Sequence, residues 1–93
     1  MTAIEQEPER LPREAVRRRL GRNLAALRVR RKWSQEKLAR KLGVTRSRLG
    51  KWETGEHAPP VELLTALAGA LGVELAEIVA GMAPSPQLRE NKK

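Results

Sequence analysis

The sequence predicts an all-α domain of five helices. Three observations carry this. Apolar residues recur at spacings of three and four, as one buried helix face requires, in Val16, Leu20, Leu24 and Leu27 and again in Leu64, Leu67, Ala68 and Leu71. No stretch alternates apolar and polar residues as a half-buried strand does. Glycine and proline fall between the periodic segments, at Gly43, Gly55, Pro59, Pro60 and Gly72, with Gly21, Gly50 and Gly69 as exceptions.

Residues 1–12 are polar and acidic and hold Pro8 and Pro12, a composition that predicts a disordered N-terminal segment. Pro12 suits the first turn of a helix, where a missing N–H costs nothing. The first helix is expected from Arg13 to Lys32, with Arg17, Arg18, Arg19, Arg22, Arg30 and Arg31 off its apolar stripe. Gly21 inside it costs about 1 kcal/mol relative to Ala. Trp33 is read as a core plug between the first and second helices.

Ser34 is an N-cap residue type, and it opens a second helix, Gln35 to Leu42. Gly43 ends that helix, because glycine reaches the left-handed cap conformation without strain. Thr45 caps a third helix, Arg46 to Glu53, which Gly55 stops. On a wheel of 100° per residue, Leu49, Trp52 and Glu53 of this third helix share one side. Ser47 and Lys51 point the opposite way with Gly50 beside them, and Arg46 and Arg48 flank that face. After the loop around Pro59 and Pro60, a fourth helix runs from Val61 to Leu71 and a fifth from Leu75 to Ala80, offering Leu75, Ile78 and Val79. Residues 82–93 read as a disordered C-terminal tail, which leaves a folded unit of residues 13–81.

Charge is unevenly placed. The net charge is +8, yet residues 13–52 hold fifteen Lys or Arg against Glu14 and Glu36, a local charge of +13. Residues 53–83 carry five Glu and no Lys or Arg. Concentrating positive charge on the segment with the two short helices is what a protein that meets phosphates does. The chain has no Cys, no Tyr and a single histidine, His57, in a polar loop. It lacks a glycine-rich phosphate loop and paired carboxylates, so neither an enzyme nor a metal or cofactor site is expected. The longest nearly apolar run, Leu63–Val73, falls short of the ~18 residues of a membrane span. Glu5, Glu7 and Glu9 are the opposite of a basic secretory leader. A cytoplasmic protein is expected.

The stretch QEKLARKLGVTRSRLGKWET, with Gln35, Ala39, Gly43, Val44, Leu49, Trp52, Glu53 and then Gly55 in register, resembles the helix-turn-helix of the phage repressor and Cro family, the XRE family. The resemblance extends over roughly residues 17–80. It implies a compact five-helix repressor-type domain that binds double-stranded DNA as a transcriptional regulator, most simply a repressor, with its third helix in the major groove.

By that resemblance Arg46, Ser47 and Lys51 occupy base-reading positions. Their chemistry agrees: Arg and Lys donate to guanine O6 and N7, while Ser is weakly selective. The resemblance also places Gln35 on a phosphate, at a helix start whose free N–H groups favour an anion in any case. Arg48, Lys37 and Arg22 are further phosphate candidates. The resemblance also pairs Arg28 with Glu53 in a partly buried salt bridge between the first and third helices. Two features depart from the family: Gly50 stands where a polar residue is usual, and the loop Glu56–His57–Ala58 is poor in the positive charge that supplies phosphate contacts in relatives. The fourth and fifth helices are the expected homodimer seam. The competing reading is an antitoxin or adaptor that acts through a protein partner.

Overall fold

In the computed structural model, which describes residues 11–82, the order is α1 Arg13–Arg30, α2 Gln35–Leu42, α3 Arg46–Thr54, α4 Val61–Leu71 and α5 Leu75–Ile78. No strand occurs among the described residues. The expected disorder of both ends falls, for residues 1–10 and 83–93, outside that range.

Three helices close the same way. Gly43, Gly55 and Gly72 each adopt a left-handed conformation. The N–H two residues past each helix then returns to its last turn: Val44 to the Ala39 carbonyl, Glu56 to Lys51 and Val73 to Ala68. The end of α1 uses this motif without a glycine. Lys32 takes φ 63°, its N–H donates to the Val29 carbonyl at 2.8 Å, and Trp33 N–H donates to Arg28 at 3.2 Å. The helix therefore stops at Arg30, two residues before the expected Lys32, and no residue type in the sequence signals the stop.

The buried core is Leu20, Leu24 and Leu27 of α1, Leu38 and Ala39 of α2, Leu49 and Trp52 of α3, Leu67, Ala68 and Leu71 of α4, and Ile78 of α5. Helix α1 packs on α3 and α5, α2 packs on α3 and α4, and α4 packs on α5. Close approach of α1 and α3 depends on Gly21. A Cβ built there would lie 2.5 Å from the Trp52 carbonyl oxygen and against that of Glu53. The glycine that weakens α1 locally is what lets α3 lie across it.

Two expectations need correction. Trp33 is half-buried rather than a core plug: it packs on the edge of the core, with the cations of Arg31, Lys37 and Lys41 4.5, 5.3 and 5.2 Å from its ring centroid. A ring at a corner is covered by the stems and heads of long basic side chains instead of by core. Helix α5 is a single turn, not a helix to Ala80. Asn23 Nδ2 donates to the carbonyls of Ile78 at 2.8 Å and Ala80 at 2.9 Å, and Arg19 Nε donates to Ala80 as well. Side chains of α1 thus satisfy carbonyls that another helical turn would otherwise have to satisfy.

Candidate nucleic-acid interface

Two capped helix starts set the site. Ser34 Oγ accepts from Lys37 N–H at 3.0 Å at the start of α2, and Thr45 Oγ1 accepts from Arg48 N–H at 3.1 Å at the start of α3. Leu49 and Trp52, both buried, clamp the inner side of α3. Its other side presents Arg46, Ser47, Arg48 and Lys51 to solvent, with Gly50 half-buried among them.

A chain of four side chains joins the body of the domain to the first residue of α3. Arg28 meets Glu53 in a bidentate pair, Nε to Oε2 at 2.8 Å and Nη2 to Oε1 at 2.9 Å. The two side chains are 14% and 6% exposed. Arg28 also donates to the Trp33 carbonyl at 2.8 Å. The hydrogen bond to Glu53 makes the Arg28 guanidinium hold its proton more tightly than a free arginine, against the opposing pull of burial. Gln35 Nε2 donates to Glu53 Oε1, and Gln35 Oε1 accepts from Arg46 Nη1, each at 2.9 Å. A carboxylate only accepts and a guanidinium only donates, so the two neighbours fix which way the Gln35 amide faces. The family register points to Gln35 and Arg46 separately; their contact with each other was not legible there.

The gap at Gly50 opens into a cleft of about 350 Å³, lined also by Gln35, Arg46, Ser47, Lys51, Thr54 and Glu56. A Cβ at Gly50 would meet only Gln35 Nε2, at 3.9 Å. Of the phosphate candidates, Arg48 lies beside Trp52, its guanidinium 5.2 Å from the ring centroid. Lys37 stands over Trp33, and Arg22 is exposed on α1. Glu56, which the sequence marks only as a lack of positive charge, lines the cleft. Sequence reasoning also missed that basic residues of α1 and its C-cap serve as carbonyl donors, Arg17 to Gly55 at 3.0 Å and Arg31 to Leu71 at 2.9 Å. Among the described residues no group of His, Cys, Asp or Glu is placed to hold a metal ion, and no helix is long and apolar enough to cross a membrane.

Five helices, with a glycine-turned pair whose second member shows a basic outer face, define a helix-turn-helix domain. Residues 24–78, more than half of the chain, match the helix-turn-helix family HTH_3. The chain belongs to that family, the XRE-type transcriptional regulators, a family of DNA-binding proteins rather than enzymes. It is 38% identical over 60 residues to the immunity repressor protein of Bacillus phage phi105, across 64% of this chain and 42% of that protein. It is 40% identical over 53 residues to YonR, an uncharacterized SPbeta prophage-derived HTH-type transcriptional regulator of Bacillus subtilis, across 57% and 49% of the two chains. The chain thus spans less than half the length of either relative. Among solved structures it resembles the restriction-modification controller protein C.AhdI from Aeromonas hydrophila, with 34% identity and a TM-score of 0.66 over 69% of this chain and 97% of that one.

Proposed function

We propose that this chain is a sequence-specific regulator of transcription, acting in the cytoplasm as a repressor, that inserts α3 into the major groove of double-stranded DNA. The observation that carries the reading is the face of α3. Arg46, Ser47 and Lys51 are exposed on a helix clamped from behind by Leu49 and Trp52, and Arg46 is braced by Gln35 and lies 4.0 Å from Glu36. In this reading Arg46 and Lys51 donate to guanine edges and Ser47 contacts a neighbouring base. Gln35, Arg48, Lys37 and Arg22 hold phosphates and set the register of the helix on the duplex. The repressor role rests on the name of the phage relative.

One short helix reads only a few base pairs, so the active species is a homodimer. Leu75 and Val79 support a seam along α4 and α5, since they are large apolar side chains 42% and 39% exposed.

Selection of sites from random duplexes by the purified protein tests the whole reading. The expected product is an inverted repeat with half-site centres about 10 bp apart, one turn of duplex. Arg46→Ala and Lys51→Ala should each cost about 1–3 kcal/mol on that site and relax preference at different positions. A single asymmetric site bound by a monomer removes the dimer. Specific binding that appears only with a co-purifying protein favours the adaptor or antitoxin reading instead.

A further inference from the structure

The cleft at Gly50 combines donors with one acid. Gln35, Arg46, Ser47 and Lys51 supply donors, and Glu56 supplies a carboxylate. Among the described residues that carboxylate makes no ion pair. The backbone that carries it is anchored at the cleft, because the Glu56 N–H donates to the Lys51 carbonyl at 2.9 Å directly after the left-handed Gly55. A phosphate repels a carboxylate, so Glu56 does not serve as a backbone contact. Base edges differ. In the major groove a G·C pair shows two acceptors on guanine beside one donor, the N4 amino group of cytosine. Donors with a single acidic acceptor in one cleft are the complement of that pattern, and the missing side chain at Gly50 leaves the cleft open to a base edge.

We propose that Glu56 determines specificity: its carboxylate accepts a hydrogen bond from cytosine N4 of a G·C pair whose guanine is held by Lys51. This rests on insertion of α3 in the major groove, and it adds a base-reading residue outside that helix. It also gives the acidic loop after α3 a positive role.

The test is a binding profile of wild type, Glu56→Gln and Glu56→Ala over all single-base variants of the selected site, at one salt concentration. All three proteins should melt alike, since the described hydrogen bond of Glu56 comes from its backbone N–H. Glu56→Gln should move the preferred base at one position per half-site from cytosine to adenine, because an amide pairs with adenine N6 and N7. Glu56→Ala should flatten preference at that same position by about fivefold or more and leave the other positions ranked as before. If both variants instead tighten every sequence by one common factor, the carboxylate merely repels DNA and the inference is overturned while the reading of α3 stands. If wild type selects no sequence at all, the reading of α3 falls first and takes this inference with it.

Discussion

Glu53 is where α1, α2 and α3 meet through side chains, by way of Arg28 and Gln35. Removing one member of a buried ion pair strands the other, at about 3–5 kcal/mol. Arg28→Met should therefore destabilise strongly, leaving a carboxylate 6% exposed with only the Gln35 amide as a partner. Glu53→Leu should cost less, because Arg28 is the more exposed partner and keeps the Trp33 carbonyl. The double variant should regain much of the loss but not all of it, since Gln35 Nε2 and the Trp33 carbonyl each lose a partner. Urea denaturation of the three variants measures this, and two single variants that melt like wild type would refute the coupling. Gln35 belongs to the same argument. Its amide is engaged at both ends, so one residue braces a proposed base reader and still has an N–H left for a phosphate.

At the scale of the helix, two glycines inside regular segments have opposite meanings. Ala is favoured over Gly in a helix interior by about 1 kcal/mol. Gly69 on α4 is exposed, and a Cβ there would meet nothing within 4 Å, so Gly69→Ala should stabilise by roughly that amount. Gly21 on α1 is buried against the backbone of α3, which cannot move aside as a side chain would. Gly21→Ala should reverse the sign and destabilise by about 1–3 kcal/mol, the usual cost of overpacking. Thermal melts of both variants check the pair. If both raise the melting temperature, α1 and α3 are not held at backbone contact. The ends of helices follow the same logic of local against tertiary control: Gly43, Gly55 and Gly72 mark their own stops, whereas α5 ends where Asn23 and Arg19 reach it.

Across the whole molecule, the positive segment does two jobs. Arg17 and Arg19 of α1 and Arg31 just past its end donate to carbonyls of Gly55, Ala80 and Leu71, Arg28 pairs with Glu53, and Arg30 reaches Glu77 at 3.4 Å. The local charge of +13 is thus not all free for phosphates. With about four phosphates neutralised per protomer, a dimer should show a log–log salt slope near −7. Binding titrations from low to moderate salt measure it. A slope shallower than about −2 would mean that the basic segment does not lie on the phosphates. The acidic residues Glu62, Glu74 and Glu77 are consistent with this division, because they lie on or beside α4 and α5, the part of the domain proposed to meet a second protomer rather than DNA.

The sequence by itself determined the helix count, the bounds of α2 and α4, the family, and most of the core stripes of α1 and α4: Leu20, Leu24, Leu27, Leu67, Ala68 and Leu71 are buried, while Val16 and Leu64 of the expected stripes are only half-buried. All of these rest on short-range rules: apolar spacing, N-cap residues and glycine at left-handed ends act within a few residues of chain. Side-chain types also carried Arg46, Ser47 and Lys51 to one outer face, since a helical wheel needs no partner. Tertiary structure decided the rest. Lys32 ends α1 in a conformation that its residue type does not favour, with Trp33 bonded back to Arg28. Gly21 is required by the α3 backbone, some thirty residues away in sequence. Gln35 is tied to Glu53 and Arg46 by the crossing of α2 and α3 rather than by spacing, whereas Glu56 reaches the cleft through the left-handed Gly55 that ends α3. Contacts between side chains distant in sequence depend on how helix axes cross, and apolar periodicity fixes which face is buried but not which residue it finally touches.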